Sequence, residues 1–440
     1  MDELILWIYI AAWGGVAWLY WRKRRHFDTG FFIVLLYFVI SIISYFAYLV
    51  EWDEVLKDFS LFPFFYLFFV ALFSLFPILR FDDRKVKRCV VPNRTLLGLL
   101  VWTCIIPNII SFPSTIKGLS EGLSQMMIDV AIGGELYDEN RGLAETTGHG
   151  ISNLPSVIST AFSGITCMLT FYYASLKKKS RLILYLLFLS CIKLALQTVS
   201  QGQRGGVVEY LLLMVVSYFL VKRFMSNTLR KTIARTGLIF VVFAFTILTA
   251  ITIGRFGQMA DRTFDSTVYY AGQQNLYFNK FAFDNNGIRY GDRTIPLLKR
   301  MVGIEGVPHN YIERRNKYHN LKINDEVFIG FVGDFALDFG PFLGALLLVM
   351  QTLFVLHNTK VRKGKLYLHQ IILLHFTLYM VSIGSIKLYP FSDVRGNLQI
   401  LVYLFLYIIF YSDYYRKVNN KQIKKENGLS TIYSNNSSKG

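Results

Sequence analysis

Residues 31–50 read FFIVLLYFVISIISYFAYLV, a run without a single charged side chain. A helix of about 20 apolar residues is long enough to cross the hydrocarbon core of a bilayer. Similar apolar runs recur along the 440 residues, which are 53% hydrophobic and only 17% charged. A soluble protein carries about a quarter charged residues. The sequence therefore predicts an all-α integral membrane protein with many transmembrane helices.

The boundaries of the apolar runs predict about eleven transmembrane helices, with ten to twelve as the range. The predicted helices cover residues 4–21, 30–50, 60–79, 95–112, 151–175, 182–199, 207–221, 236–254, 328–356, 366–384 and 398–411. Together they make residues 1–411 one polytopic transmembrane domain. We expect a disordered polar tail at 412–440.

Lysine and arginine concentrate in alternate loops, which predicts the orientation in the membrane. One set of short loops, together with the tail after residue 411, holds 29 basic residues, and the opposite set holds 17. Eleven of those 17 lie in one long loop, which is large enough to escape the positive-inside rule. The first set is therefore predicted to be cytoplasmic, with the N-terminus outside and the C-terminus inside. Two sizeable loops are then external: 113–150, with an amphipathic helix, and 255–327.

This topology excludes several classes of function. The predicted cytoplasmic loops are too short for a nucleotide-binding domain, and no GxxxxGK[ST] motif occurs, so ATP-driven transport within this chain is excluded. A cytosolic enzyme using nucleotide sugars is disfavoured for the same reason. The net charge of +18 follows from membrane topology and does not indicate nucleic-acid binding. The N-terminus begins with acidic residues and carries its basic run after the apolar stretch, so we expect no cleavable signal.

The long external loop is the first candidate site. Residues 255–326 carry eleven basic residues, seven of them arginine, among tyrosines and phenylalanines. Arginine forks bind phosphate oxygens in pairs and can neutralise a departing pyrophosphate without a metal. Arg255, Arg262 and Arg289 are the candidates here, with the first two closest to the membrane. The alternative is a solvated loop whose arginines pair with its own eight carboxylates.

A glycine-rich turn between two helices is the second candidate. Residues 201–206 read QGQRGG and place Arg204 at the outer membrane interface, where exposed backbone N–H groups could form an anion nest. The alternative is a hairpin turn with a snorkelling arginine. Glu209 and Lys193 lie on the two flanking helices, and we expect them to pair across the hairpin in a structural role.

Two further stretches carry candidate residues. His309 can accept a proton near neutral pH, which suits a general base. Asp334 and Asp338 are four residues apart and share one helix face, and with His309 they are the candidate catalytic residues. Helix capping is the alternative role for Asp334. Arg395 lies in an outer loop and could join a phosphate-binding group or act as an interfacial anchor. No DxD motif or histidine cluster occurs in the predicted outer segments, so we expect neither a metal nor a cofactor.

Three features together resemble a known family. They are the GQRGG turn, the large outer loop with an arginine near its start, and His309-Asn310 ahead of Asp338-Phe339-Gly340 at a helix entry. These are similar to features of bacterial oligosaccharide repeat-unit polymerases, the Wzy-type O-antigen and capsule polymerases, which are relatives of the O-antigen ligases. The resemblance covers roughly residues 180–360 and the overall topology. An odd helix count with an external N-terminus departs from the even number common in the family.

The resemblance implies a glycosyltransferase in the bacterial inner membrane that acts at the periplasmic face. Its partners would be undecaprenyl-pyrophosphate-linked oligosaccharide, the bilayer and, as a candidate, a chain-length regulator protein. It implies a phosphate-binding role for Arg204, then Arg255 and Arg262, and a ligase-like role for His309. The alternatives are an O-antigen ligase, a lipid-linked oligosaccharide flippase and an assembly partner without activity. A flippase should carry polar groups through the middle of several helices.

Overall fold

The protein is an all-α membrane protein. The computed structural model describes residues 1–50, 56–128, 154–200, 204–256, 260–324, 327–361 and 363–437, and 77% of the chain is helical. Within those ranges eight helices are long and apolar enough to cross a membrane, or nine if one bent pair counts as a span. Each of the eleven predicted helices has a helical counterpart in the structure, while the number that span the bilayer stays a prediction.

Seventeen described helices follow one another along the chain. In chain order they are α1 (Asp2–Arg24), α2 (Thr29–Val50), α3 (Leu61–Arg80), α4 (Arg94–Ile110), α5 (Phe112–Ile128), α6 (Leu154–Ala161), α7 (Ser163–Ser175), α8 (Arg181–Ser200), α9 (Arg204–Val221), α10 (Asn227–Phe256), α11 (Ala260–Tyr277), α12 (Pro296–Met301), α13 (Tyr311–Lys317), α14 (Gly330–Phe339), α15 (Pro341–Asn358), α16 (Leu368–Ile383) and α17 (Asp393–Ser437). Two short strands, β1 (Arg88–Val90) and β2 (Lys365–Tyr367), two 3-10 turns at Asp83–Lys85 and Lys222–Phe224, and a π-helical turn at Phe278–Ala282 complete the described elements.

One end of the bundle, the short-loop end, gathers the segments predicted to share a side. The strands β1 and β2 pair in parallel there, with Arg88 opposite Lys365. Arg24 forms an ion pair with Asp82, and a guanidinium nitrogen of Arg223 lies 3.4 Å from a carboxylate oxygen of Asp83. These contacts join the connections after α1, after α3 and after α9, so the basic loops form one surface.

The opposite end, the long-loop end, contains a helix that the sequence does not predict. The polar helix α11 lies within the predicted loop 255–327 and packs against α2. The Ser44 hydroxyl donates to the Gly272 carbonyl at 2.7 Å, and the Asn275 side-chain amide donates to the Ser44 hydroxyl at 2.9 Å. Because these buried polar groups satisfy one another, a segment of low hydropathy can dock into an apolar bundle.

Two predicted helices are broken in the structure. The predicted helix 328–356 is divided into α14 and α15 at Gly340, whose φ of 79° ends the first helix, and Pro341 starts the second. The predicted helix 151–175 is divided into α6 and α7, which are bent by 61° at Phe162. Each break ends the run of helical backbone hydrogen bonds inside the bundle, which is tolerated in a membrane only where protein or water surrounds it.

Two external segments also differ from expectation. The amphipathic helix predicted in loop 113–150 is α5, which follows α4 almost directly and packs against α8; residues 129–153 of that loop lie outside the described part of the chain. Where we expect a disordered tail beyond residue 411, α17 continues as helical backbone to Ser437.

The close approach of α11 and α2 depends on a glycine. A Cβ atom added at Gly272 would lie 2.6 Å from the Ile43 carbonyl oxygen and 2.8 Å from Cβ of Ala47. Gly272→Val is therefore expected to force the helices apart and lower the unfolding temperature in detergent. Gly237→Val, at a helical position where an added Cβ meets nothing within 4 Å, is the matched control. Equal unfolding temperatures for the two variants would contradict this packing.

Candidate functional site

A fully buried cluster, the loop anchor, fastens the long loop to α14. It consists of Arg289, Arg293, Asp334 and Asp338. Arg289 is 0% exposed, and its Nε donates to Oδ1 of Asp338 at 2.6 Å. Its Nη2 donates to Oδ1 of Asp334 at 3.1 Å, and Nε of Arg293 lies 3.2 Å from that same oxygen. Two arginines and two aspartates thus balance each other's charge.

The second carboxylate oxygens in the loop anchor bind backbone amides. Oδ2 of Asp338 accepts from the N–H groups of Arg293 at 3.2 Å and Thr294 at 2.6 Å. Oδ2 of Asp334 accepts from the N–H of Tyr389 at 2.7 Å. The predicted shared face of the two aspartates is confirmed. All four of their oxygens are occupied within the protein, so the pair connects α14 to the long loop and to the turn before α17.

The same loop fixes the first turn of α17. Nη1 of Arg314 donates to Asp393 at 2.8 Å, and the Asp393 N–H donates to the Arg293 carbonyl at 2.8 Å. The Asn397 side chain accepts from the Leu297 N–H at 3.0 Å and donates to two carbonyls of the loop and the turn. Residues between Asp393 and Asn397 are therefore held in place from the side by the loop.

A second buried carboxylate stabilises the middle of the loop. Asp292 is fully buried; it binds the Lys299 ammonium, and its Oδ2 accepts from Nζ of Lys317 at 2.6 Å and the Tyr318 hydroxyl at 2.7 Å. Burial alone would raise the pKa of Asp292, but the hydrogen bonds from Lys299, Lys317 and Tyr318 outweigh it and lower the pKa below its ordinary value. The ionised carboxylate therefore favours the folded loop.

The lowered pKa of Asp292 predicts how the stability of the loop changes with pH. The stabilisation from ionised Asp292 is complete above the unfolded-state pKa of about 4 and is lost as the pH falls through the lower folded-state value. Asp292→Asn is thus expected to speed hydrogen exchange across residues 290–322 at pH 7, and the difference from the parent protein should shrink below about pH 4. Asp284→Asn, at an exposed carboxylate in the same loop, is the control. A difference that persists at low pH would contradict the assignment.

Near the start of α9, two cations lie close to one carboxylate, and a third cation lies close to one of them. This cationic cluster consists of Glu209, Lys387 and Arg395, with Lys193 near Arg395. Nζ of Lys387 lies 3.1 Å from Oε2 of Glu209, and the Tyr379 hydroxyl donates to Oε1 at 2.7 Å. Arg395 lies near enough to act electrostatically on both Glu209 and Lys193. The cluster therefore keeps an excess of positive charge.

Arg395 is the exposed member of the cationic cluster. Its side chain projects from the first turn of α17, and within the described part of the chain it makes neither a hydrogen bond nor an ion pair. The positive end of the helix dipole lies at the same place. A guanidinium group fixed at its backbone, with its fork unoccupied, can receive a phosphate group in two hydrogen bonds.

Gly205 and Gly206, the described glycines of the glycine-rich stretch, pack near the same cluster. A Cβ atom added at Gly205 would be 3.2 Å from Cε of Lys387, and one added at Gly206 would be 2.6 Å from Cβ of Thr198. The first glycine leaves room for the lysine, and the second lets α9 approach α8. Gly205 therefore lies against Lys387, whose partner Glu209 is also acted on by Arg395.

Other predicted site residues lie at several places. Arg204 is the first residue of α9, Arg255 lies in the last turn of α10 and Arg262 in the first turn of α11; the side chains of these three lie outside the described residues. His309 is exposed, and no contact among the described residues joins it to the cationic cluster. Asn310 caps α13 by accepting the Glu313 N–H, which gives the His-Asn pair a structural reason.

The predicted pairing of Lys193 with Glu209 is wrong. Glu209 pairs with Lys387, whereas Nζ of Lys193 donates to the Ser159 hydroxyl at 3.2 Å and to Oε1 of Gln197 at 2.8 Å. The two side chains point in different directions. Glu209 lies on the face of α9 that packs against α16, whereas Lys193 points toward α6. Lys387 is not among the site residues predicted from the sequence, although a lysine at the outer end of an apolar helix is a recognisable sign of such a site.

Comparisons with known proteins add no relative to this description. The chain matches no protein-family model, no curated protein and no solved structure. Function is therefore inferred from the geometry of the cationic cluster and the loop anchor that supports it.

Proposed function

We propose that this protein is a membrane glycosyltransferase that joins oligosaccharide repeat units carried on undecaprenyl pyrophosphate, as O-antigen and capsule polymerases do. The observation that supports it is Arg395, which is exposed, has no hydrogen-bond or ion-pair partner among the described residues, and lies near Lys193 and the Glu209–Lys387 pair. Positive charge held at fixed positions is what a departing pyrophosphate requires, since it stabilises the negative charge that develops as the bond breaks.

The reaction requires one bond to form and one to break. A sugar hydroxyl of the acceptor attacks the anomeric carbon of the donor, and the electron pair of the old bond leaves with undecaprenyl pyrophosphate. Arg395 and Lys387 bind the leaving group. Glu209 is the carboxylate positioned within the cluster to accept the hydroxyl proton, and His309 is the second candidate base. Arg289, Asp334 and Asp338 position the loop and the start of α17 without touching the substrate.

The test is direct elongation. Purified protein in nanodiscs is incubated with a lipid-pyrophosphate-linked repeat unit, and the products are separated by size. A ladder of longer lipid-linked glycans is expected. A single transfer to a different acceptor would indicate a ligase, and unchanged substrate under conditions where the protein is folded would refute the proposal.

The proposed periplasmic position of the site has its own prediction. Tyr290 is 66% exposed at the long-loop end, so Tyr290→Cys should react with a membrane-impermeant maleimide added to intact cells. Lys360→Cys, exposed at the short-loop end, should react only after the membrane is opened. The reverse pattern would place the cationic cluster in the cytoplasm and contradict a reaction on exported lipid-linked sugars.

A flippase or exporter of lipid-linked oligosaccharide is the second candidate. The bent pair α6 and α7 favours it, because discontinuous helices often form substrate sites in transporters. Movement of a fluorescent lipid-linked oligosaccharide between leaflets of proteoliposomes, without elongation, would identify this function.

A further inference from the structure

The break between α6 and α7 leaves a helix N-terminus inside the protein. Ser163, the first residue of α7, and the two residues after it are buried. The capping position, Phe162, supplies no side-chain hydrogen bond to the amides of the first turn. The first N–H groups of a helix have no partner within the helix, and burial without a cap is unfavourable. A group that accepts hydrogen bonds would satisfy them.

Lys193 lies at this break without a counter-ion. Its side chain is 1% exposed, and among the described residues no carboxylate lies within ion-pair distance. Its two partners, Ser159 and Gln197, are neutral. Lys193 is seven residues before the end of α8, which places it about 10 Å below the long-loop end. A buried ammonium beside Arg395 is costly unless an anion enters.

A third polar group at the break, the side-chain oxygen of Gln399, requires a hydrogen-bond donor. Gln399 is 4% exposed; its Nε2 donates to the Thr160 carbonyl and to the Ser163 hydroxyl, both at 3.1 Å. Its Oε1 is buried and has no hydrogen-bond partner among the described residues. Gln399 is one helical turn after Arg395 on α17, so both side chains project from the same face. A ligand hydroxyl is the group that would complete this site.

We propose that this break is a buried subsite for a sugar phosphate, the reacting end of a lipid-linked donor. Lys193 and the first-turn amides of α7 bind the phosphate oxygens, and Oε1 of Gln399 accepts from a hydroxyl of the attached sugar. Arg395, at the opening, binds the outer phosphate. This inference rests on the proposed function for the identity of the lipid-linked donor, while the anion-and-hydroxyl chemistry follows from the site itself.

The first experiment measures binding of farnesyl phosphate to the full-length protein in nanodiscs. Lys193→Met should weaken binding about 10- to 100-fold, because a hydrogen bond to a charged group is lost. Its unfolding temperature without ligand should stay equal or rise, since a buried charge is removed. Lys360→Met, at the opposite end of the bundle, should bind as the parent does. Unchanged affinity in Lys193→Met would overturn the subsite.

A second probe tests the sugar half. Glucosyl farnesyl phosphate places a singly charged phosphodiester between the same lipid and a sugar. Gln399→Met should weaken its binding relative to the parent protein while leaving the binding of farnesyl phosphate unaffected. Equal effects on both probes would overturn the role of Gln399. If no elongation occurs but binding depends on Lys193, the subsite stands and the proposed polymerase does not. If elongation occurs and Lys193→Met elongates normally, the polymerase stands and the subsite fails.

Discussion

Replacing Arg289 with methionine is expected to destabilise the protein by about 3–5 kcal/mol, the largest effect of any single change in the long loop. The substitution leaves Asp334 and Asp338 buried with one cationic partner, Arg293, instead of two. Thermal unfolding in detergent, followed by loss of near-ultraviolet dichroism, measures the effect. Both aspartates are 0% exposed, so their negative charges need the positive charge of the arginines.

Two further variants separate charge from packing. Adding Asp338→Asn to Arg289→Met should restore part of the lost stability, since it removes an unpaired buried charge. Lys322→Met breaks an exposed ion pair with Asp284 in the same loop and should leave the unfolding temperature nearly unchanged. If Arg289→Met unfolds at the temperature of the parent protein, the loop anchor does not hold the loop.

Replacing Arg395 with alanine is expected to slow glycan elongation about 100- to 1,000-fold without loss of stability. One fixed donor to a developing negative charge contributes about this much to catalysis. The side chain is exposed and has no partner among the described residues, so its removal should leave the fold intact. Product ladders from purified parent and variant proteins, at matched amounts of folded protein, give the rates.

The control for this variant lies on the same helix. Arg416→Ala removes an exposed guanidinium group from α17 at the short-loop end, far along the helix from the cluster, and should elongate at the parent rate. An Arg395→Ala protein that is as active as Arg416→Ala would show that the cationic cluster does not bind the leaving group.

Most of the fold follows from apolar runs, and the exceptions have physical causes. The eleven runs each produce a helix, because a backbone without water must satisfy its own hydrogen bonds. The helix α11 escapes prediction because Gln274 and Asn275 make it polar, and only tertiary partners such as Ser44 show that it is buried. The bend at Phe162 is followed directly by Ser163 and Gly164, a pair of the kind found at helix kinks, but the apolar run around the pair predicts one continuous helix.

The candidate site is only partly predictable for a similar reason. A sequence shows that Arg289 and Asp338 are charged, but only the structure shows that they neutralise each other. Arg395 and Glu209 are far apart in sequence and meet because α17 and α9 meet α16. Spacing along one helix correctly predicts that Asp334 and Asp338 share a face, because local helix geometry fixes that spacing. The partner of Lys193 depends instead on which face of α8 turns inward.

The parallel pairing of β1 with β2 has a consequence for biosynthesis. β1 leaves the ribosome with the first third of the chain, and its partner follows only after α15 has been made. At about 5–20 residues per second the wait is on the order of tens of seconds. During that time the β1 edge has no strand to bond, so a nascent chain arrested before Lys365 should be cleaved by added protease at the connection after α3 more readily than the finished chain.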